Sequence, residues 1–560
     1  MRVLVPGPKP LFFEGPSRVL RADCAADVPR ALKAAQAAID SGRYCAGYLS
    51  YELGAALAGR RLRTGRGLPL LSLGIFERPL APPLADGGTY ALSAMRSRVD
   101  SETYAATLRR IARAIFNGDV YQINYTVPFE FAFAGDPYAL FTRLLADSGV
   151  AHAAFVQDDR HALVSMSPEL FLRIQNGTVI AKPMKGTAAL DRIGELSSPK
   201  NRAEHVMIVD LLRNDLQQIC SAVDVPALYA VERYPAFATM TSTITGRLRA
   251  GVTIAQILAA TFPCGSVTGA PKRAAMDLIE RLERWPRDAY TGSIGYFAPD
   301  GSAEWNVAIR TLQIDTVRNQ GRLDIGGGIV ADSNSTDEWA EIGLKRRFSE
   351  ASAMPFALLE TFAGDRPREV LTAHVNRLQR SAAFFNIPVD SARLLAQLEA
   401  LPAAPDSIVR VRVDWSGALS IYQEAISAPS APVRVCLARR AVRSDVALLA
   451  HKTSWRDVYE RAYALAQSAH CFDAICSNER DELTEGTRTS LFVDCGGVLY
   501  TPPLASGVLP GILRESLLKQ GRCVERVLYE EDITRAGKLY VGNSARGLLR
   551  AEFVKELAVV

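Results

Sequence analysis

A chain of 560 residues, 48% hydrophobic and 22% charged, is long enough for two or more domains with separate cores and is not disordered as a whole. Its net charge of +5 is spread among interspersed acids, leaving no nucleic-acid footprint, and no run of about 18 apolar residues is present to span a membrane. Nine scattered cysteines without a C-x-x-C pair fit reduced thiols in a cytoplasmic protein better than a disulfide framework or a zinc site.

Prolines 6 and 8 interrupt the N-terminus before a signal-like apolar stretch develops. The first informative element is the strand-like Gly177–Ala181, followed by Lys182-Pro183-Met184-Lys185-Gly186-Thr187. Lys185 stands at a rigid strand end, before a glycine that lets a ligand approach the backbone and before a hydroxyl. Such a lysine becomes a nucleophile if desolvated or placed near other cations. Next, 201–215 has helical periodicity, with Met207, Ile208, Leu211 and Leu212 on one side and Glu204 in the middle of it. A carboxylate there needs a cation, a donor or a metal.

Two glycine-rich stretches follow. Cys264–Lys272, containing Gly265, Ser266, Thr268 and Gly269, precedes an apolar helix over 274–282, and Gly326-Gly327-Gly328 follows the strand 322–325. Both offer backbone N–H groups suited to carboxylates. Arg310 is expected within a strand, as a bidentate carboxylate clamp. The helix that ends this half opens on Asp337-Glu338-Trp339-Ala340-Glu341. These acids complement the helix dipole, and Glu341 can pair with Lys345. They could equally offer oxygen ligands to Mg²⁺.

A fresh strand, 356–362, starts after this helix without a flexible spacer, so two abutting domains are expected, 1–352 and 353–560. Strands and helices mix in both without strict βαβ alternation, which predicts an α+β class. In the second half Lys452 lies beside helix-like sequence, and Glu485-Gly486 forms a turn leading into a strand. The run Gly507–Arg514 opens a helix whose N–H groups could receive a phosphate. A Schiff-base lysine, a carboxylate for a pyridinium nitrogen and an anion site at a helix start are the parts pyridoxal 5'-phosphate requires.

In order and spacing, the motifs of residues 10–350 resemble the chorismate-utilising enzymes. They include GDVYQIN at 118–124, SPE at 167–169, KPMKGT at 182–187, EHVMIVDLLRND at 204–215, GSVTGAPK at 265–272, YTGSIGY at 290–296, NVAIRT at 306–311 and the triple glycine. The resemblance implies a β-sandwich-like α+β domain that binds chorismate. In it Glu204 and Glu341, supported by Glu338, would hold Mg²⁺, and Arg310, Tyr296, Gly328, Thr187 and Thr268 would contact substrate. Lysine at 185 is similar to aminodeoxychorismate synthases, where anthranilate synthases carry alanine. It implies attack by the amine at ring C2 and delivery of nitrogen to C4. Two positions depart from the family pattern, Thr239 for a histidine and Cys264 for a glycine.

Residues 356–560 resemble the fold-type IV pyridoxal-phosphate proteins through HVNRL at 374–378, the Lys452 and Glu485 segments, GVLPGIL at 507–513 and VGNSARG at 541–547. That likeness implies Lys452 as the Schiff-base lysine and Glu485 at the pyridine nitrogen. Arg377, the Ile512 and Leu513 amides and Ser544 would hold the phosphate. Leu513 and Ser490 replace a common threonine and asparagine. The motifs do not separate an aminodeoxychorismate lyase from an aminotransferase, and a non-catalytic assembly role also stays open. The fusion favours the lyase, giving 4-aminobenzoate for folate. No cysteine-nucleophile elbow is present, so ammonia is expected from a separate glutamine amidotransferase subunit. Relatives of the second half commonly dimerise, which implies a homodimer through it.

Overall fold

The computed structural model describes residues 1–7, 9–63, 65, 67–83, 90–188, 190–233, 238–350, 356–385, 387–444 and 446–554. Among them, two ten-stranded antiparallel sheets make up the first half. In one, Gln122–Gly135 pairs with Gln320–Ile329, and the order continues through Thr311–Asp315, His161–Ser165 and Ala154–Gln157 to Arg2–Val5. In the other, Met184–Ala188, Ala238–Leu248, Thr178–Lys182, Leu170–Gln175, Ala303–Asn306 and Ser293–Phe297 lead to Tyr44–Leu49. Apolar side chains of the two sheets meet in a core that includes Val3, Phe13, Ala46, Tyr48 and Ile294. Helices Ser101–Phe116, Lys272–Leu282 and Ser335–Glu350 pack on the first sheet, and Val28–Asp40, Pro199–Gln217 and Ile254–Thr261 on the second. The expected sandwich of sheets with helices outside is thus observed.

The helix expected over 201–215 runs from Pro199 to Gln217, capped by the Ser198 hydroxyl on the Asn201 amide. Its buried stripe is Glu204, His205, Ile208, Val209, Leu212, Asp215 and Leu216, whereas Met207 and Leu211 are half-buried. The stripe follows the 3.6-residue period with a small rotation from the expected face.

Three expectations are corrected. Lys185 does not end the strand 178–182. Pro183 breaks the chain there, and Lys185 pairs with Met240 in the next short strand, before a bulge at Gly186. The triple glycine is not a loop after a strand. It lies inside Gln320–Ile329, with Gly326, Gly327 and Gly328 facing Thr126, Tyr125 and Asn124. Arg310 is not within a strand either: it sits at a bend with φ +50°, between Ala303–Asn306 and Thr311–Asp315.

A fully buried arginine ties these parts together. Arg287 donates to both Glu283 oxygens, to the Val267 and Asn124 carbonyls and to Thr291, and its guanidinium lies 4.5 Å from the Tyr51 ring centroid. It therefore clamps the 264–268 segment to the strand Gln122–Gly135.

The second half contains a three-stranded antiparallel sheet, Ala357–Ala363, Ser407–Asp414 and Leu419–Ala425. An eight-stranded mixed sheet follows, in which Val433–Ala438 pairs in parallel with Asp473–Ser477 and Gly547–Phe553. The domain boundary expected at 352/353 lies outside the described residues. Phe356 and Leu358 share a core cluster with Ala91, Ala132 and Ala134 of the first half. All nine cysteines are free, and among the described residues no helix is long and apolar enough to cross a membrane.

Removing Arg287 leaves Glu283 buried without its counter-ion. Arg287→Met is expected to destabilise the first half by about 3–5 kcal/mol, measured as a lower urea midpoint for the transition that reports its tryptophans. An unchanged midpoint would show that the clamp is dispensable.

Candidate active sites

In the first half the glycine strand is the floor of the site. A Cβ on Gly328 would lie 3.0 Å from Lys185 Nζ and 2.8 Å from Gln122 Nε2, one on Gly327 3.0 Å from Glu338 Oε2, and one on Gly326 2.8 Å from the Tyr290 hydroxyl. Gly326 and Gly328 leave room for Tyr290, Gln122 and Lys185 on one face of the strand, and Gly327 leaves room for Glu338 on the other. Lys185 Nζ is 2.6 Å from Glu204 Oε2, which answers the demand of a carboxylate on that helix face. The Thr239 hydroxyl, where a histidine was the family pattern, donates to the Gly186 carbonyl at 2.6 Å and fixes the bulge beside the lysine.

The expected carboxylate trio is not drawn together as a closed ligand set. Glu204 is paired with Lys185, and Glu338 accepts from Ser333 at 2.7 Å. Glu341 is half-exposed and pairs with Lys345, which also donates to the Gly326 carbonyl. Burial raises the Glu338 carboxyl above its ordinary range, Glu341 adds to this, and Ser333, Lys345 and Lys185 oppose it. Among the described residues no three His, Cys, Asp or Glu side chains form a ready metal group.

Tyr296 is not brought to Lys185. It packs with Phe13 and stands beside Glu304 on the neighbouring strand, and burial raises its hydroxyl to about 12. Tyr290, six residues earlier in the same motif, reaches the glycine floor instead. The Thr268 hydroxyl is occupied by the Cys264 and Gly265 carbonyls. The Thr187 side chain lies outside the described residues.

Sequence reasoning gave no role to several residues that the structure makes prominent. Glu169 is fully buried, accepts from the Ser266 hydroxyl at 2.6 Å and is pushed up to about 7 by burial, against the Ser266 and Met184 donors. The Met184 amide brings this carboxyl next to the strand that carries Lys185. The Cys264 thiol lies 3.1 Å from Ser266 Oγ. Gln122 is buried with Oε1 lacking a protein partner, a polar end left for a ligand. Asp215 and Lys272 form a buried ion pair that joins two helices of the first half. An acid inside a hydrophobic segment was the signal for Glu204, and the same signal was available for Glu169.

In the second half Lys452 hydrogen-bonds through its carbonyl to the Leu359 amide, ahead of the helix Asp457–Ser468. Burial, with help from Arg377, lowers its amine to about 8. Glu485 accepts from the Tyr459 hydroxyl at 2.7 Å and the Leu509 amide at 3.0 Å, and burial raises it to about 7. Arg377 is bidentate on Glu360, at 2.9 and 2.5 Å, and its Nη1 donates to the Pro510 carbonyl. Ser544 faces His374 at 2.8 Å. Ile512 and Leu513 open the helix Ile512–Lys519, whose first turn has no side-chain cap. Asp473 accepts from the Thr487 and Arg488 amides and the Thr487 and Thr489 hydroxyls, and so shapes the turn after Glu485.

Residues 80–350 match the model of the chorismate binding enzymes, and residues 358–552 match amino-transferase class IV. Aminodeoxychorismate synthase component 1 of Klebsiella aerogenes is 39% identical over 287 residues, 49% of this chain and 62% of that protein. Anthranilate synthase component 1 of Saccharolobus solfataricus is 33% identical over 267 residues, 46% of this chain and 63% of that protein. The chain thus spans under two thirds of these relatives. The solved anthranilate synthase component I of Streptococcus pneumoniae shares the fold at 22% identity, with a TM-score of 0.52 over 62% of this chain and 90% of that one. The chain therefore joins a chorismate-binding enzyme domain, related to aminodeoxychorismate synthase component 1, to a class IV aminotransferase domain.

The raised Glu169 carboxyl has a signed consequence. Its folded-state value of about 7 exceeds the ordinary 4.5, so its contribution to stability is full below 4.5 and is lost as pH rises through 7. Glu169→Gln, always neutral, is expected to gain in melting temperature relative to the parent on going from pH 5 to pH 8. A gap that is constant with pH would show that Glu169 ionises normally.

Proposed function

We propose that the chain makes 4-aminobenzoate in two steps, amination of chorismate at C4 in the first half and loss of pyruvate from the product in the second. The observation that carries the first step is Lys185, held by Glu204 above the Gly328 floor. A lysine amine at this position supports nitrogen delivery to C4 over the C2 outcome of an anthranilate synthase.

Glu204 and Glu341, with Glu338 in support, would hold Mg²⁺. Their hard oxygens fit it, because Mg²⁺ takes one or two protein carboxylates besides water and substrate oxygens. When bound, the ion would stabilise charge at the ring carboxylate. Arg310, Tyr290 and Gln122 offer the remaining polar contacts around the floor, with Tyr296 too far into its own core cluster to be preferred. Glu204, 2.6 Å away, would accept a proton from Lys185 and so free its amine to attack. That amine bonds to ring C2 while the double bond shifts and the C4 hydroxyl departs. Glu169, protonated near neutral pH, would give this hydroxyl its proton, so that it leaves as water. Ammonia then bonds to C4, the double bond returns, and the Lys185 amine leaves C2. The "component 1" in the relatives' names supports a separate glutamine amidotransferase as the ammonia source.

Pyridoxal phosphate suits the second half. Lys452 is an amine with its value already lowered, Glu485 is a buried carboxyl whose nearest partners are neutral donors, and the uncapped helix at Ile512 and Leu513 suits a phosphate. Arg377 and Ser544 would complete that end. The bound cofactor supplies an electron sink. Glu485 would favour the protonated pyridine nitrogen, and Lys452 would move the protons that elimination requires. The two domains on one chain support the lyase, whose substrate is the proposed product of the first half.

Given chorismate, ammonia and Mg²⁺, the protein is expected to form 4-amino-4-deoxychorismate, and 4-aminobenzoate plus pyruvate once pyridoxal phosphate is added. Lys185→Ala is expected to lower C4 amination at least about a thousandfold, and anthranilate from the parent protein would overturn the first step. Lys452→Ala should abolish the covalent attachment of the cofactor that borohydride reduction fixes on the parent protein. Keto-acid-dependent amino transfer without pyruvate release would assign the second half to the aminotransferases.

A further inference from the structure

Two buried groups behind Ser544, Glu360 and His374, form a chain that the steps above do not use. Glu360 Oε2 lies 2.5 Å from His374 Nδ1, and His374 Nε2 lies 2.8 Å from Ser544 Oγ. Burial alone would raise Glu360, yet Arg377 and His374 hold it down at about 2. An ionised carboxylate has no proton to give, so Nδ1 of the ring donates to it. Burial lowers His374 below its ordinary value; Glu360 opposes this, while Arg377 and Lys452 add to it. Those three are the charged groups acting on the ring, from the strand Ala357–Ala363, the ring's own helix and the Lys452 segment. Glu515, on the helix Ile512–Lys519, acts on Arg377.

With the ring neutral and its one proton on Nδ1, Nε2 is an acceptor. Ser544 must then point its only hydroxyl proton at Nε2, and it presents lone pairs alone to anything in front of it. A phosphate dianion, which is all acceptor, is repelled by that arrangement. Adding a proton at Nε2 reverses the bond: Nε2–H donates to Oγ and the hydroxyl proton swings to the phosphate.

We propose that His374, seated on Glu360, converts Ser544 into a phosphate donor by taking up a proton, so that binding of a phosphorylated pyridoxine-type cofactor is coupled to protonation of this ring. His374 is in this sense a positioning residue. The inference rests on the pyridoxal-phosphate reading of the second half. Because the bound state favours the protonated ring, affinity is highest at low pH and falls as pH rises through the bound-state value, by up to about tenfold per unit.

The test is calorimetric titration of the apo full-length protein with pyridoxine 5'-phosphate and with pyridoxine, neither of which has the aldehyde that reacts with Lys452. Running each titration in two buffers of different ionisation enthalpy gives the protons taken up. The parent is expected to take up more protons than His374→Gln with the phosphorylated compound, and equal numbers with pyridoxine. The glutamine introduced by His374→Gln is never charged, but its amide can donate to Oγ permanently. That variant should therefore keep affinity within a few-fold and lose its pH dependence. Ser544→Ala should lose about tenfold or more in affinity for the phosphorylated compound only, and with it the excess proton. Equal uptake in parent and His374→Gln, or a loss of affinity shared by both compounds, overturns the inference while leaving the cofactor reading intact. Failure of the parent to bind either compound overturns both.

Discussion

The first half depends on how closely the strand Gln320–Ile329 can be approached. Its three glycines remove the side chains that would otherwise crowd Lys185, Gln122 and the Tyr290 hydroxyl on one face and Glu338 on the other. Pairing with Gln122–Gly135 fixes this floor, and Arg287 anchors that strand to the 264–268 segment. Glycine in a strand weakens it, by lost packing and greater backbone entropy. Here the sheet is wide enough, and the arginine clamp buried enough, to hold the weakened strand in register.

The two lysines proposed to react, Lys185 and Lys452, have different surroundings. Lys185 stands against a carboxylate, and that partner is one of the groups proposed for Mg²⁺. For Lys452 the pull of Glu360 is outweighed: burial and the Arg377 charge bring its amine to about 8 directly.

Family and fold class were legible in the sequence because they rest on short contiguous motifs with strong local punctuation. The helix around Glu204 was legible because its apolar period is regular. What escaped was set by contacts far apart in sequence. The glycine run reads as a turn until a strand 200 residues earlier (roughly, on a register no local pattern reveals) is known to pair with it. Arg310 alternates like a strand residue, but its φ of +50° places it at a bend. Tyr290 and Tyr296 share one motif, and only the packing of Tyr296 on Phe13 separates them. The network of Glu360, His374 and Ser544 joins three segments, so no single window contains it.

Three buried carboxyls show why burial by itself predicts nothing about charge. Glu169 and Glu485 meet only hydroxyl and amide donors at short range, and both rise to about 7. Glu360 is as deeply buried, but a bidentate arginine and an imidazole keep it at about 2. The first two can therefore exchange a proton near neutral pH. Glu360 cannot, and its fixed charge is what gives direction to the hydrogen bonds beyond it: the ring must donate at Nδ1, and the serine must yield its proton to Nε2 until another arrives. A permanent charge in this position controls a neutral neighbour more firmly than a titrating one would, because it leaves only one ring proton free to move.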